Sequence, residues 1–314
     1  MTDKRFNIFI TGARGFIGRN LVEYLSKEPA KYSLFYPYHK ELELLDNEKV
    51  SKFIADNKID VILHCASIGG SRKTGYDAGK TDIVSTNLRM FFNLAGSMDN
   101  VQRMIFFGSG AEYDRSHYRP RMKEDHFGAH IPADDYGFSK YVCSMFAEQS
   151  KNIFNLRIFG MFGKYEDYGF KFISNAIVKN LFKLPIVINQ NVNFDYMYID
   201  DCANIVERFI SNRPKYNIYN LTTGTTIDLV TLANKINKIS DFRSEIIVKN
   251  PGLGTEYSGD NSRLQKELDF KFTAFDIALK ELYQYYRSIL PTIDRNAIEK
   301  DEYIKYCKSS KCDE

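Results

Sequence analysis

Three glycines near the start of the chain, Gly12, Gly15 and Gly18, constrain its fold more than any other feature. They follow a short apolar run, Phe6–Thr11, and accompany the start of a segment with helical periodicity, Phe16–Leu25. The stretch is therefore predicted to be a strand, a tight turn and a helix. In that context Gly12 permits the turn, Gly15 lets a pyrophosphate approach the backbone, and Gly18 lets the helix pack closely on the sheet. The sequence predicts a dinucleotide-binding turn at the N-terminus of this helix.

Short apolar runs recur along the first half of the chain and alternate with segments of helical periodicity. This alternation predicts an α/β fold, a doubly wound parallel sheet of the Rossmann type with helices on both faces. The predicted strands are Phe6–Thr11, Ser33–Tyr36, Val61–Cys65, Met104–Phe107 and Asn155–Phe159.

After residue 164 the pattern changes, because longer helical segments alternate with isolated strands. Examples are the helix Phe172–Phe182 and the strands Pro185–Ile188 and Tyr216–Leu221. We expect a mainly dinucleotide-binding domain over residues 1–164 and a smaller, mainly substrate-binding α/β lobe over residues 165–288. Residues 289–314 are charged and poor in large aliphatic side chains, so we expect a C-terminal extension there.

The amino-acid composition indicates which kinds of binding partner are expected. The 314 residues carry a net charge of +3, with 43 basic and 40 acidic side chains, so neither nucleic acid nor a membrane surface is the expected partner. No apolar stretch of about 18 residues is present, and we expect a cytoplasmic protein. The five cysteines are scattered and odd in number, which predicts reduced thiols and no metal site; they are Cys65, Cys143, Cys202, Cys307 and Cys312.

Tyr136 and Lys140 are four residues apart and would share one face of a helix. An ammonium ion beside the phenol, together with a cationic nicotinamide, favours the phenolate. A phenol titrates near 10, and bringing its pKa to about 7 needs roughly 4 kcal/mol of such stabilisation. Ser109 precedes the tyrosine by 27 residues and offers a second hydroxyl. These residues predict proton transfer beside a bound dinucleotide.

The segment that follows the second predicted strand indicates which dinucleotide binds. It contains His39 and Lys40, and no acidic residue occurs at the strand tip before Glu41. With Arg14 from the glycine turn, His39 and Lys40 can form a basic cup for a 2′-phosphate; the alternative is that they are solvated loop cations. We therefore expect NADP(H) in preference to NAD(H). The expected contacts in the turn are Gly12, Arg14, Gly15, Phe16, Ile17 and Gly18.

Several motifs in order resemble those of extended short-chain dehydrogenases/reductases, and within them the nucleotide-sugar epimerase/dehydratase group. The sugar-nucleotide reductases similar to GDP-fucose synthase resemble the chain most. The resemblance covers residues 6–288 and includes GARGFIG, ELELLD, LHCAS, FFGSGAEY, YGFSK, LRIFGMFG and GDNSRLQKEL.

The resemblance implies a role for individual residues. Ser109 would hydrogen-bond the reacting oxygen, Tyr136 would exchange the proton, and Lys140 would bind the nicotinamide ribose. The helix that carries Tyr136 and Lys140 would form a homodimer interface through its apolar segment YVCSMF. The other implied cofactor contacts are Asp46, which also has the position of a helix cap, Ala66 and Asn87.

Departures from the family pattern narrow the reaction. Gly110 and Ala111 stand where 4,6-dehydratases of the family carry an Asp-Glu pair, and Ala111 stands where GDP-fucose synthase carries its epimerising cysteine. Glu112 is one residue further along and would point to the opposite side of a strand. The sequence therefore disfavours dehydration and 3,5-epimerisation.

The second lobe departs from the pattern as well. An arginine that family members use for the substrate diphosphate is missing from Phe194–Asp201. Asp200 and Asp201 are expected to cap a helix. Lys171, Lys179, Lys183 and Arg263 are candidates to replace the arginine, with a solvated surface charge as the alternative for each. The substrate contacts expected overall are Ala111, Glu112, Gly160, Lys171, Lys179 and Arg263.

Three histidines, His117, His126 and His130, lie between Ser109 and Tyr136 in a segment expected to cover the substrate pocket. One of them is a candidate acid or base, and a solvent-facing loop histidine is the alternative.

The expected function is NADPH-dependent reduction of the 4-keto group of a nucleoside diphosphate (6-deoxy) sugar, hexose or heptose, in the biosynthesis of surface-polysaccharide sugars. A nucleotide-sugar 4-epimerase with tightly bound NAD is the alternative that uses the same side chains. A non-catalytic dinucleotide sensor is a third hypothesis, which the presence of Ser109, Tyr136 and Lys140 disfavours.

Overall fold

A computed structural model describes residues 5–70, 82–301 and 304 of the chain. The strands are β1 (Phe6–Thr11), β2 (Tyr32–Phe35), β3 (Val61–His64), β4 (Arg103–Ser109), β5 (Ile153–Ile158), β6 (Gly160–Phe162), β7 (Ile186–Asn191), β8 (Asn193–Tyr198), β9 (Ile218–Leu221), β10 (Thr226–Asp228) and β11 (Ile246–Leu253). The helices are α1 (Phe16–Leu25), α2 (Asn47–Asp56), α3 (Ile83–Ala95), α4 (Asp135–Gln149), α5 (Phe172–Leu181), α6 (Ile199–Ser211), α7 (Leu229–Ile239), α8 (Ser262–Leu268), α9 (Phe275–Ile289) and α10 (Arg295–Glu299).

A six-stranded parallel sheet forms the centre of the molecule, in the order β2-β1-β3-β4-β5-β9. The α/β fold with a doubly wound parallel sheet is thus confirmed. From β1 the chain first adds β2 on one side and then β3 on the other. The carboxyl ends of β1 and β3 therefore flank a topological switch point, where open parallel sheets bind their ligands.

Successive residues of a strand point to opposite faces of the sheet, and helices pack against both faces. Ile8 and Ile10 join a core that includes Leu21 of α1 and Val206 of α6. Phe9, between them, joins the opposite core, which contains residues of α2, α3 and α4. Because both faces of the sheet are buried, the runs predicted as strands are apolar at successive positions.

A smaller lobe contains the sheet β10-β8-β6, the pair β11-β7, and helices α5, α7 and α9. Two elements beyond residue 164 belong with the first domain, since β9 pairs with β5 and α6 packs on α1. No single boundary in the chain therefore separates the two lobes.

The start of the C-terminal extension packs against the rest of the protein. Ile293 and Ile298 are buried in the main core, and Asp301 forms an ion pair of 2.7 Å with Lys179 of α5.

Among the described residues, no helix is long and apolar enough to cross a membrane. No group of three or more His, Cys, Asp or Glu side chains in that part of the chain could hold a metal ion. The thiols of Cys65, Cys143 and Cys202 are free, and Cys307 and Cys312 lie outside the described residues.

Candidate active site

The glycine turn between β1 and α1 forms a tight cradle at the switch point. Gly12 has a φ of +64°, and a Cβ there would lie 2.7 Å from the Ala66 amide nitrogen. A Cβ on Gly18 would lie 2.4 Å from the Gly12 carbonyl oxygen, whereas one on Gly15 would meet only that oxygen, at 3.2 Å. Gly12 and Gly18 are therefore required by packing inside the protein, and Gly15 faces the open side of the turn. Phe16 and Ile17 begin α1, and the helix has no side-chain cap.

The segment after β3 borders the turn and is fixed by two polar residues. Thr11 Oγ accepts a hydrogen bond from the Ala66 amide at 3.1 Å and lies 2.9 Å from His64 Nδ1. Asn87 exchanges hydrogen bonds of 2.9 Å with both backbone groups of Ile68. The amide of Asn87 also donates to Ser139 of α4. Asn87 thus ties the segment to the helix that carries Tyr136 and Lys140.

Ser109 and Tyr136 meet where β4 ends and α4 begins. A Cβ on Gly137 would lie 2.8 Å from the Ala111 carbonyl oxygen, so α4 approaches the turn after β4 closely. The side chain of Ser109 interacts with the phenol of Tyr136 and by itself would lower the pKa of that phenol. Gly70 covers one side of the tyrosine ring, because a Cβ there would lie 2.6 Å from its Cζ. The phenol is thereby held between the serine hydroxyl and the segment after β3.

Lys140 lies one turn along α4 and is buried. Its Nζ donates to the Phe107 carbonyl oxygen at 2.8 Å and lies 5.7 Å from the centre of the Tyr136 ring. Burial raises the pKa of Tyr136 above its ordinary value, and the interaction with Ser109 only partly offsets this. Burial also lowers the pKa of Lys140. In the protein without a cofactor the phenol is therefore held neutral, and the expected lowering of its pKa requires the cationic nicotinamide as well.

Glu112 was expected to contact substrate, and the structure contradicts this. Residues 110–113 form a 3₁₀ turn rather than a strand, because the Ser109 Oγ accepts the Ala111 amide and the Glu112 carboxylate accepts the Ser109 amide. Glu112 is fully buried and forms a 2.7 Å ion pair with Arg157 of β5. Its carboxylate faces the protein interior below Ser109.

Two tyrosines that the sequence analysis did not identify line the site next to Gly110. Tyr118 donates to the Gly110 carbonyl oxygen at 3.1 Å. A Cβ on Gly110 would lie 2.5 Å from the hydroxyl of Tyr257, a residue of the smaller lobe. The two rings lie 5.0 Å apart. An aromatic wall thus occupies the space beside Gly110, and the buried Ala111 adds no acid or base. The sequence contains many tyrosines, and no motif in it distinguishes Tyr118 and Tyr257 from the others.

The basic residues near the tip of β2 are not grouped as one cup. The Arg14 guanidinium stacks 3.8 Å above the Tyr38 ring. His39 Nε2 instead lies 2.9 Å from a carboxylate oxygen of Glu43, and Lys40 is exposed. Arg14 and Lys40 stay candidates for a 2′-phosphate, whereas the His39 imidazole is already bound to a carboxylate.

Three of the expected substrate contacts are engaged elsewhere. A Cβ on Gly160 would lie 2.4 Å from the Asp195 carbonyl oxygen, so this glycine lets β6 pack on β8. Lys179 is buried by its ion pair with Asp301. Arg263 donates to the Ile218 carbonyl oxygen and to Asp125, both at 3.0 Å. Lys171, exposed just before α5, stays a candidate for the substrate phosphates.

The carboxylates singled out in the sequence have structural partners. Asp46 caps α2 by accepting the Lys49 amide at 3.1 Å, and its contact with adenine stays a prediction. Asp200 and Asp201 lie in the first turn of α6 rather than at its cap position, which Tyr198 occupies. Asp201 accepts hydrogen bonds from Thr273.

The three loop histidines are held at the surface. His117 Nδ1 lies 2.6 Å from an Asp114 carboxylate oxygen, and the His130 ring stacks on His117 at 3.6 Å. His126 Nδ1 accepts the Lys123 amide at 3.2 Å. None of these contacts joins a histidine to Tyr136 or Ser109.

Comparison with known proteins identifies the family of the chain. The sequence model of the NAD dependent epimerase/dehydratase family matches residues 8–222. GDP-L-colitose synthase of Yersinia pseudotuberculosis is 21% identical over 262 residues, covering 76% of this chain and 84% of that protein.

Solved structures with the same fold include a reductase and an epimerase. A GDP-mannoheptose C4 reductase from Campylobacter jejuni with NADP bound superposes with a TM-score of 0.79 at 21% identity, covering 91% of this chain and 99% of that chain. The UDP-glucose 4-epimerase of Thermotoga maritima, with UDP-glucose, has a TM-score of 0.76 at 19% identity, covering 91% and 100%.

Proposed function

The chain belongs to the NAD dependent epimerase/dehydratase family and is an oxidoreductase, and from this premise we propose that it reduces the 4-keto group of a nucleoside diphosphate sugar with NADPH. The sugar is a hexose or heptose, commonly 6-deoxy, destined for a surface polysaccharide. One observation carries the proposal: Ser109 and Tyr136 lie where β4 and α4 approach each other, beside Gly110 and Ala111, which bear no carboxylate or thiol.

The residues around the switch point fit a nicotinamide dinucleotide. The turn from Gly12 to Gly18 leaves its open side at Gly15, where a Cβ would obstruct an approaching phosphate. The uncapped N-terminus of α1 favours a pyrophosphate. The segment from Ala66 to Gly70 would border the nicotinamide half, since it contacts both the turn and Tyr136. When bound, the reduced cofactor supplies the hydride.

The chain's own side chains then manage the proton and the geometry. Charge develops on the ketone oxygen as it is reduced, and hydroxyl donors placed there stabilise that charge. Tyr136 delivers the proton, and its raised pKa keeps it protonated until that moment. Ser109 orients the oxygen, while Tyr118 and Tyr257 exclude water from the side next to Gly110.

The preference for NADPH rests on Arg14 and Lys40. Stacking on Tyr38 holds the Arg14 guanidinium beside the turn, where a planar fork can bind a phosphate through two hydrogen bonds. Lys40 follows two residues after Tyr38 and is exposed. A reductase must release its oxidised cofactor after each turnover, and this open arrangement permits such exchange.

The substrate class draws support from the relatives. GDP-L-colitose synthase and the GDP-mannoheptose C4 reductase both carry GDP-linked sugars in their names. Of the four candidate cations, Lys171 and Lys183 are exposed and stay candidates for a diphosphate.

A 4-epimerase with tightly bound NAD is the second candidate. It is favoured by the similarity to UDP-glucose 4-epimerase and uses the same Ser109, Tyr136 and Lys140. The absence of acid or base side chains at Gly110 and Ala111 is compatible with both activities, so the behaviour of the cofactor must separate them.

Homodimer formation is part of the proposal and has support on the surface. Phe92 of α3 and Met145 and Phe146 of α4 are large apolar side chains with 39%, 49% and 43% of their surface exposed. Phe92 and Phe146 pack edge to face and form one patch across the two helices. A second copy would bury this patch.

The test is a screen of 4-keto nucleotide sugars with NADPH, followed by the nicotinamide absorbance, with Tyr136→Phe as the control. Turnover that needs added NADPH and is lost in the control supports the reductase. NAD retained in stoichiometric amount after purification, with isomerisation that needs no added cofactor, would establish the epimerase instead. Unchanged turnover in Tyr136→Phe would remove Tyr136 from the mechanism.

A further inference from the structure

A buried carboxylate lies directly beneath the serine of the proposed active site. Glu112 Oε1 accepts the backbone amide of Ser109 at 2.8 Å, and Glu112 Oε2 accepts from the Arg157 Nε at 2.7 Å. Both side chains are completely inaccessible to solvent. Burial by itself lowers the pKa of Arg157, but Tyr113 and Glu112 outweigh it and the pKa is raised, so the guanidinium stays charged.

The pair is held in place from three elements. Asn155 of β5 donates to the Glu112 carboxylate at 3.2 Å, and Ser144 of α4 accepts from the Arg157 guanidinium at 3.0 Å. Gly108 provides the space, because a Cβ there would lie 2.2 Å from Glu112 Oε1. The network therefore connects the end of β4 with the helix that carries Tyr136.

Ser109 is held through both its backbone and its side chain. Its amide is held by Glu112, and its Oγ accepts the Ala111 amide at 3.1 Å. With its backbone and its hydroxyl both constrained, the serine has little freedom to turn away from Tyr136. Reaction geometry is sensitive to such placement, since an error of about 1 Å can cost roughly 100-fold in rate.

We propose that Glu112, supported by Arg157, is a positioning residue that aims the Ser109 hydroxyl at the reacting oxygen. The inference rests on the proposed function, because it assigns Glu112 to the reaction through Ser109. Burying two charges is costly, and apolar side chains of similar volume often replace a buried ion pair without loss of stability. The stability of the fold therefore does not account for this ion pair, whereas the orientation of the Ser109 hydroxyl does.

The principal test removes both charges together. In Glu112→Leu/Arg157→Met no unpaired charge is left behind. We expect a folded protein whose kcat with a 4-keto nucleotide sugar falls about 100-fold while KM stays within about threefold. Glu23→Gln/Lys164→Met is the matched control, since it removes a 2.6 Å ion pair that does not contact Ser109. It should retain the wild-type kcat.

Non-additivity shows whether Glu112 acts through Ser109. We expect Ser109→Ala and the triple variant Ser109→Ala/Glu112→Leu/Arg157→Met to have the same kcat within about twofold. A structure of the double variant should show Ser109 Oγ displaced from the Tyr136 hydroxyl, a result that needs no substrate.

Glu112→Asp provides a second test that keeps both charges. The shorter side chain withdraws the carboxylate from the Ser109 amide, and we expect a similar loss of kcat in a folded protein. If the double variant or Glu112→Asp folds and retains the wild-type kcat, or if neither folds, the positioning role is overturned and Glu112 is a structural residue. If Ser109→Ala itself retains the wild-type kcat, the proposed use of Ser109 fails instead.

Discussion

The ammonium group of Lys140 donates a 2.8 Å hydrogen bond to the carbonyl oxygen of Phe107. Phe107 lies in β4 two residues before Ser109, so the bond attaches α4 to the strand that carries the serine. Lys140 Nζ lies farther from Tyr136, at 5.7 Å from the centre of its ring. Lys140 therefore links the elements that carry the two hydroxyls, in addition to the ribose contact that the family resemblance implies.

Replacing Lys140 tests this link. In Lys140→Met the stem of the side chain remains, but the Phe107 carbonyl oxygen loses its buried donor, a change that costs about 1–3 kcal/mol. We expect a lower free energy of unfolding by about that amount and a kcat lowered about 100-fold. Urea unfolding and steady-state kinetics measure the two effects. A variant with the wild-type kcat would show that Lys140 has no part in the reaction.

The cofactor preference is tested at Arg14 and Lys40. Arg14→Ala and Lys40→Glu should each weaken NADPH binding about tenfold, or about 1.4 kcal/mol, and leave NADH binding within about twofold. Titration of the purified variants with each reduced cofactor gives the four dissociation constants. Equal weakening of both cofactors would contradict the role of these cations in 2′-phosphate binding.

Two glycines of the turn are expected to affect different properties, Gly18 the stability of the fold and Gly15 the binding of the dinucleotide. Gly18→Ala places a methyl group 2.4 Å from the Gly12 carbonyl oxygen and should lower the free energy of unfolding by about 1–3 kcal/mol. Gly15 has φ −75° and ψ 172°, which alanine adopts readily. A methyl group on Gly15 would lie 3.2 Å from the same oxygen, so Gly15→Ala should lower the free energy of unfolding less than Gly18→Ala does, and it should weaken dinucleotide binding at least tenfold. Unchanged binding by Gly15→Ala would argue against a pyrophosphate at this position.

His64 makes stability depend on pH. Burial lowers its pKa to about 3, and the nearby Lys140 adds to the effect. The unfolded state, with a pKa of about 6.5, binds more protons between pH 3 and 6.5. The free energy of unfolding therefore falls as pH is lowered through this window, by at most about 1.4 kcal/mol per unit, and the full contribution is present above it. In His64→Gln the slope across this window should be smaller. Identical slopes in urea unfolding experiments would contradict a neutral buried imidazole.

The parallel sheet was predictable because buried strands leave a pattern in the sequence. Ser33–Tyr36 was predicted where β2 covers Tyr32–Phe35, and Phe6–Thr11 matches β1. The glycine turn was predictable for a similar reason, since its backbone geometry allows few residue types.

Side-chain partners distant in sequence were not predictable. Glu112 was expected on a strand, but the hydrogen bonds between its carboxylate, Ser109 and Arg157 bend the chain into a turn. Lys179 was expected to reach a phosphate, but Asp301 reaches it from the far end of the chain. Tyr257 approaches Gly110 from the smaller lobe, where it forms a backbone bridge with Phe194 of β8. In each case tertiary packing decides which groups a side chain meets.

The most direct test of the account is the stoichiometry of one reaction, carried out with purified protein, NADPH and a GDP-linked 4-keto-6-deoxy sugar. We expect repeated turnover in which one NADPH is oxidised for each 4-hydroxy sugar formed, with the protein free of retained NAD. Failure to oxidise NADPH with any 4-keto nucleotide sugar, in a protein that carries bound NAD and interconverts 4-epimers, would contradict it.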